Sequence, residues 1–178
     1  MLVVFLRGIN VGGHRTFRPA ALAGQLQHLG AVNIGAAGTF VIRAAIPRAR
    51  LRSEFARRLP FDAEIAICAG RDILSLVSRS PFAGRRSRPE IIQFVSVLPR
   101  LPRAAPPAPI RLPSRGRWLV KILEREHRFV IGIYRREMKV ISCLGKLDRL
   151  YGAPVATRNW ATIVAIAAAL KSTRPSTG

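Results

Sequence analysis

The residues with the clearest chemical pattern lie in a glycine-rich segment near the start of the chain. Gly8 and Gly13 have the G-x-x-x-x-G spacing of a phosphate-binding loop, and they follow an apolar run that predicts a central strand. Backbone N–H groups in such a loop can surround an anion. A nucleotide-binding P-loop continues with Lys and Ser or Thr, whereas this chain has His14 and Arg15. We therefore expect a simple glycine-supported turn, or an anion site of backbone N–H groups, rather than nucleoside-triphosphate hydrolysis.

A second segment, near the end of the chain, carries polar side chains of the same kinds. Thr157 is a residue type that favours a helix N-cap, so we predict that the last helix begins with residues 157–160 and attracts anions there. Where the two segments meet, Arg7 and Arg158 can both bind a phosphate or carboxylate. The alternative is structural, with the asparagines of both segments capping backbone groups. The predicted ligand-binding residues are Arg7, Gly8, Asn10, Gly12, Gly13, Thr157, Arg158 and Asn159.

No other arrangement of residues predicts catalysis or a metal site. The only histidines are His14, His28 and His127, and no metal-binding or nucleophile motif contains them. Cys68 and Cys143 are far apart and lack partners at metal-ligand spacing, which is typical of reduced, buried thiols. We expect no metal and no cofactor. The sequence assigns no catalytic residues, and it leaves open whether the protein is an enzyme.

The charge of the chain suggests a different class of partner. Its 178 residues include 30 Lys+Arg and 9 Asp+Glu, for a formal net charge of +21, and all but four of the cations are arginines. Such a protein attracts phosphate polyanions, so a nucleic-acid-binding module with distributed arginines is the alternative function. The charge divides evenly, +10 in residues 1–89 and +11 in residues 90–178, without a basic tail. A general drift in the composition of the source genome toward arginine would give the same excess of basic residues without any function.

Apolar periodicity predicts an α+β fold whose first half has the order β-α-β-β-α-β, typical of a ferredoxin-like unit. The predicted elements are strands at 2–6, 31–34, 39–44 and 63–68, with helices that carry the stripes Leu22, Leu26, Leu29 and Leu51, Phe55, Leu59. Gly30 suits the end of the first helix. We expect a single domain over residues 1–171, with halves at about 1–83 and 89–171 and a frayed tail at 172–178.

The second half predicts a mainly antiparallel sheet with C-terminal helices. The predicted elements are a strand at 91–98, an extended proline-rich loop at 99–113, a meander at 118–123, 129–134 and 138–141, and a helix at 144–151 before the last helix. Aromatic residues alternate with arginines along the meander, as on an open sheet face that binds single-stranded nucleic acid. The alternation also brings Phe129, Ile131 and Ile133 together, which is typical of a core.

The apolar runs are too short for a targeting signal or a membrane span. Residues 2–6 are apolar over five positions, and the run at 161–170 suits a buried helix face. We therefore expect a cytoplasmic protein with no membrane span, and the oligomeric state stays open.

Two motifs resemble the bacterial domain of unknown function 1697 family. They are Leu6-Arg-Gly-Ile-Asn-Val-Gly-Gly13 and Ala156-Thr-Arg-Asn-Trp160, and the similarity extends through Ser80-Pro-Phe82 and Leu147-Asp-Arg-Leu150. The resemblance implies an α+β fold and no established activity. Where the family commonly has Gln-Ser-Gly-Asn, this chain has Ala36-Ala-Gly-Thr39. The loss of these polar groups favours a third interpretation, a fold with no surviving activity.

Overall fold

The computed structural model of the chain describes residues 1–8, 17–85, 88–102, 104 and 106–172. The chain forms two compact units, Met1–Arg79 together with the chain from Ala161 onward, and Ser80–Trp160. Each unit contains an antiparallel sheet and helices, so the predicted α+β class is confirmed. The last helix belongs with the first unit rather than with the second half of the sequence. That residues 1–171 form a single domain stays a prediction.

The first unit is built on a four-stranded antiparallel sheet with the order β2-β3-β1-β4. Its elements are strands β1 (Leu2–Arg7), β2 (Ala31–Asn33), β3 (Thr39–Ile42) and β4 (Glu64–Ala69), and helices α1 (Pro19–Gln25), α2 (Arg48–Ala56) and α3 (Gly70–Arg79). Strand β1 takes a central place because its apolar residues are buried on both faces. The predicted succession of strands and helices is confirmed, and the ferredoxin-like assignment of this half stays a prediction.

The predicted leucine stripe of the first helical segment forms part of the core of this unit. Leu22, Leu26 and Leu29 pack in one buried cluster with residues of the sheet and of α2, including Phe55. Helix α1 is followed by a short 3₁₀ turn that ends at Gly30, whose φ of +59° lies in the left-handed region. A Cβ at this glycine would lie 2.9 Å from the Cβ of Arg43, so both backbone conformation and space require glycine there.

The second unit contains a five-stranded antiparallel sheet with the order β6-β7-β8-β5-β9. Its elements are strands β5 (Ile91–Val97), β6 (Ile110–Leu112), β7 (Val120–Glu126), β8 (Phe129–Arg135) and β9 (Ala156–Asn159), and helix α4 (Val140–Tyr151). Helix α4 packs against one face of the sheet. The core between them includes Phe94, Val120, Ile122 and Val130 from the strands, and Val140, Cys143, Leu147 and Tyr151 from the helix.

The predicted third strand of the meander, at residues 138–141, is wrong. The chain turns after β8, and α4 begins at Val140, four residues before the predicted helix. Met138 and Ile141 are 84% and 66% exposed, whereas Val140 and Cys143 are buried. A short alternating run fits a strand or a first helical turn equally well. Here the two buried residues, Val140 and Cys143, are three positions apart, which is the spacing of a helix.

The predicted start of the last helix at Thr157 is also wrong. Residues Ala156–Asn159 form β9 and pair with β5, with Arg158 opposite Val95, and helix α5 (Trp160–Lys171) begins only after this strand. The preference of threonine for an N-cap is a local tendency of about 1 kcal/mol. The backbone hydrogen bonds to β5 and the burial of Ala156 outweigh it.

The proline-rich stretch at 99–113 is not a loop throughout, because it includes a short strand, β6, that pairs with β7. Of the tail at 172–178 that is predicted to fray, residues 173–178 lie outside the described residues. Within the described ranges, no helix combines the length and the apolar character that crossing a bilayer requires.

Candidate functional site

The structure places Arg7 and Gly8, the first two predicted N-terminal site residues, at the end of a central strand. Arg7 is the last residue of β1, opposite Glu64 of β4 in the strand register. Gly8 follows with a φ of +79°, a conformation that favours glycine. Asn10, Gly12 and Gly13 lie outside the described residues. The predicted anion loop therefore stays a prediction.

The predicted C-terminal site residues lie on β9, and helix α5 begins directly after them at Trp160. Thr157 forms a hydroxyl–hydroxyl hydrogen bond of 2.6 Å with Ser96 on the neighbouring strand β5. Asn159 is exposed and ends the strand, while Arg158 points to the opposite face from its neighbours because side chains alternate along a strand. The three residues are therefore adjacent in sequence without forming one polar cluster.

Arg158 is a buried cation rather than a solvent-facing one. Its residue is only 7% exposed, and burial lowers the pKa of its guanidinium to about 10. Its Nη1 donates a hydrogen bond of 2.8 Å to the carbonyl oxygen of Thr157. Arg7 belongs to the first compact unit and Arg158 to the second, and their joint action on a ligand stays a prediction.

The second sheet presents a set of cations that the sequence did not bring together. Arg111 on β6 lies directly opposite Lys121 on β7, and Lys121 lies opposite Ile133 on β8. Arg135 is two residues after Ile133 and therefore shares its face. We call Arg111, Lys121 and Arg135 the cationic face. It is the face opposite the core residues Val120 and Tyr134, against which α4 packs.

The indole ring of Trp118 holds two of these cations in place. Nζ of Lys121 lies 4.2 Å from the ring centroid, and Cζ of Arg135 lies 4.3 Å from it, so both make cation–π contacts. Nε of Arg135 also donates a hydrogen bond of 3.1 Å to the carbonyl oxygen of Trp118. The ring is half-buried, which leaves part of its surface in contact with solvent.

The cationic face shares its side of the sheet with one nearby carboxylate, Glu124, which lies opposite Ile131 of β8 after a bulge in β7. Burial lowers the pKa of Lys121 below its ordinary value, and the positive charges of Arg111, Arg135 and Arg85 lower it further. Within the part of the chain that the structure describes, no carboxylate forms an ion pair with any of these four cations. Like charges directly opposite on neighbouring strands are destabilising. The face is therefore electrostatically prepared to accept an anion.

A nearby ion pair marks the edge of this region. Arg117 contacts Glu137 at 2.8 Å between Nη2 and Oε1, and both side chains are partly exposed. This arginine already has its counter-ion, unlike the cations of the face. An ordinary surface pair of this kind contributes at most about 1 kcal/mol.

The most concentrated acid–base cluster of the first unit has a structural character. Glu54 is buried on α2 and forms ion pairs with Arg57 and Arg58, with His28 at 3.7 Å. Burial alone would raise the pKa of Glu54, but the charges of Arg57, Arg58 and His28 outweigh it and hold that pKa below its ordinary value. The carboxylate is therefore kept ionised and cannot serve as an acid near neutral pH.

The described residues contain no group of three or more His, Cys, Asp and Glu side chains placed to hold a metal ion. Cys68 on β4 and Cys143 on α4 are both buried and lie outside any disulfide. With a structural role for the Glu54 cluster and no metal-binding group among the described residues, the cationic face is the principal candidate site in the described structure.

Sequence reasoning found two of the residues around the cationic face and missed the others. Trp118 and Arg135 belong to the aromatic–arginine alternation of the meander. Arg111 lies in a stretch that the prolines predict to be a loop, so its pairing with Lys121 was missed. The signal that could have revealed it is the three-residue apolar–basic–apolar run at 110–112, which alternates as an edge strand does.

Comparison with known proteins gives a family match and a similar structure. The model of a family described as "Protein of unknown function (DUF1697)" matches residues 1–112. The chain is similar to the solved structure of the conserved bacterial protein SP0830 from Streptococcus pneumoniae, with a TM-score of 0.60 and 17% sequence identity, covering 96% of this chain and 98% of that chain. At this identity the likeness concerns the fold alone. No curated protein sequence matches the chain.

Proposed function

The chain belongs to the DUF1697 family, whose description names no activity, and from that premise we propose a function argued from the chain's own surface. We propose that the protein binds a phosphate-bearing anion on the cationic face formed by Arg111, Lys121 and Arg135. The observation that carries the proposal is the directly opposed pair Arg111 and Lys121, neither of which forms an ion pair with a carboxylate of the described residues.

The chemistry of the face suits phosphate oxygens. Guanidinium and ammonium groups donate charge-assisted hydrogen bonds to phosphate, and such bonds are about twice as strong as neutral ones. Partial burial of Lys121 reduces the competition from water. A bound phosphate also removes the repulsion between Arg111 and Lys121, so ligand binding relieves a cost that the free protein carries.

The segment at 7–13 is a second proposed anion site. Arg7 and Gly8 begin it, and the positive φ of Gly8 supports a turn after β1. Asn10, Gly12 and Gly13 would complete it. Its contribution can be separated from that of the cationic face because the two sets of residues belong to different units.

A thermal-shift experiment tests the proposal with inorganic tripolyphosphate as the probe, at constant ionic strength. A ligand at a hundred times its Kd stabilises the folded state by about 2.7 kcal/mol, which raises Tm by several degrees in a chain of this size. We expect this rise for the wild type and a much smaller one for Lys121→Gln.

Lys146→Gln is the matched control. It removes the same charge from the exposed surface of α4 in the same unit, and we expect it to keep the full Tm rise. Arg7→Gln reports separately on the segment at 7–13. An equal Tm rise in the wild type and in Lys121→Gln contradicts the proposal for the cationic face, as does the absence of any rise.

A further inference from the structure

The three cations of the face lie in a row across neighbouring strands. Arg111 is on β6, Lys121 on β7 and Arg135 on β8. Neighbouring strands are about 4.8 Å apart, and Arg135 is displaced by two residues along its strand, so the outer Cα atoms are separated by roughly 12 Å. A compact anion site has its cations converging on one point. A row of this length instead matches a ligand with several phosphates in succession.

The aromatic ring within the row adds a second kind of contact. Lys121 and Arg135 lie over the indole of Trp118 at 4.2 Å and 4.3 Å. A phosphate that draws Lys121 away from the ring exposes an indole surface, and the flat face of a nucleobase stacks well on such a surface. The guanidinium of Arg135 can stack on a base in the same way.

From this combination we infer that the ligand is a single-stranded nucleic acid, an inference that rests on the proposed function. Successive phosphates bind Arg111, Lys121 and Arg135, and an unpaired base stacks on Trp118. A duplex offers the same phosphates, but its bases are already stacked on one another and their faces are not available to Trp118. The inference therefore predicts a preference for single strands over a duplex of equal charge.

The number of phosphates is measurable from the salt dependence of binding. For single strands the slope of log affinity against log salt is about −0.7 for each phosphate neutralised, so three contacts give about −2. Affinity for a fluorescein-labelled oligo(dT) then falls roughly 20-fold between about 50 and 200 mM salt. In Lys121→Gln the loss over the same range shrinks to about sevenfold, since two contacts remain.

Trp118 is tested by fluorescence and by substitution. Trp160 packs edge-on against Phe82 at 5.2 Å, and Trp160→Phe keeps an aromatic ring there while leaving Trp118 as the only tryptophan. We expect oligo(dT) to quench the remaining fluorescence. Trp118→Leu should weaken binding about fivefold or more, and Trp118→Phe should restore most of the affinity. Circular dichroism confirms that each variant is folded before binding is measured.

The possible results separate this inference from the proposed function. Stronger binding of oligo(dT) or oligo(U) than of a duplex, with the reduced slope in Lys121→Gln and the full slope in Lys146→Gln, supports both. Stabilisation by tripolyphosphate that depends on Lys121, together with equal binding of duplex and single strand, overturns the inference and leaves the proposed function standing. If neither tripolyphosphate nor oligonucleotide binds in a manner that depends on Lys121, both are wrong.

Discussion

Replacement of Gly132 by alanine tests the packing of the hairpin that carries Lys121. Gly132 lies on β8, paired with Phe94 of β5 and with Ile122 of β7. A Cβ at this position would come within 2.5 Å of the carbonyl oxygen of Lys121 and within 2.6 Å of Cζ of Phe94. Neither neighbour can move freely, because the oxygen belongs to the paired backbone and the ring is fully buried.

The magnitude follows from the size of the overlap. Inserting a methyl group into a well-packed core usually costs about 1–3 kcal/mol. Because one of the two neighbours is backbone, we expect Gly132→Ala to lie at the upper end, about 3 kcal/mol. In a chain of this length that corresponds to a decrease in Tm of roughly 6–12 °C.

Gly145→Ala is the matched control. It makes the same chemical change on helix α4, where a Cβ would have nothing within 4 Å. Alanine is a better helix former than glycine by about 1 kcal/mol, so this variant should be slightly more stable than the wild type. Urea denaturation followed by circular dichroism measures both. A free energy of unfolding of Gly132→Ala close to that of the wild type would refute the reasoning about this hairpin.

Two further predictions concern polar groups that the fold holds in place. Glu54→Gln should destabilise the protein at neutral pH, because it removes the ion pairs of Glu54 with Arg57 and Arg58. The pKa of Glu54 is lowered in the folded state, so these ion pairs stabilise the protein fully above the ordinary glutamate pKa of about 4.3. The stabilisation is lost as the pH falls through the pKa that Glu54 has in the folded state. Urea melts should therefore differ between this variant and the wild type at pH 7 and converge at low pH; a difference that grows on acidification contradicts this assignment. Thr157→Val should cost about 1–3 kcal/mol, because it leaves the hydroxyl of Ser96, which is 0% exposed, without its partner. The double variant with Ser96→Ala should recover part of the loss in a double-mutant cycle, and strictly additive losses contradict the coupling.

Local sequence patterns predicted the first unit well because its elements follow strong periodicities. The apolar run in β1 is buried on both faces, and the spacing of Leu22, Leu26 and Leu29 places all three in the core. Pro19 lies in the first turn of α1, and Gly30 ends the following 3₁₀ turn in the left-handed conformation. These features depend on residues only a few positions apart in the sequence, and a local sequence pattern records relations of that range.

The errors of prediction arise where distant pairing overrides a local preference. Thr157 is a suitable N-cap in isolation, but β5 provides hydrogen-bond partners for the whole segment Ala156–Asn159. Met138, Lys139 and Val140 alternate as in a strand, but Val140 and Cys143 have helical spacing and pack together in the core against the sheet. Neither competing interaction is visible without the register of the sheet.

The candidate site depends on the same kind of non-local information. Arg111 and Lys121 are ten positions apart in the printed sequence, and a proline-rich stretch lies around the first of them. Only the pairing of β6 with β7 sets the two cations opposite each other. Arg158, which the sequence predicts to bind an anion, is buried in the sheet, and a local pattern does not show that burial.

The most direct test of the cationic face is the titration of Lys121 itself. The chain has only four lysines, Lys121, Lys139, Lys146 and Lys171, so ¹³C-methylated lysines give few NMR signals, and the Lys121→Arg variant identifies the signal of Lys121. Dimethylation retains the positive charge. In the free protein we predict that Lys121 titrates at lower pH than an ordinary lysine, and that tripolyphosphate moves this titration upward. A Lys121 titration that does not respond to tripolyphosphate contradicts the account.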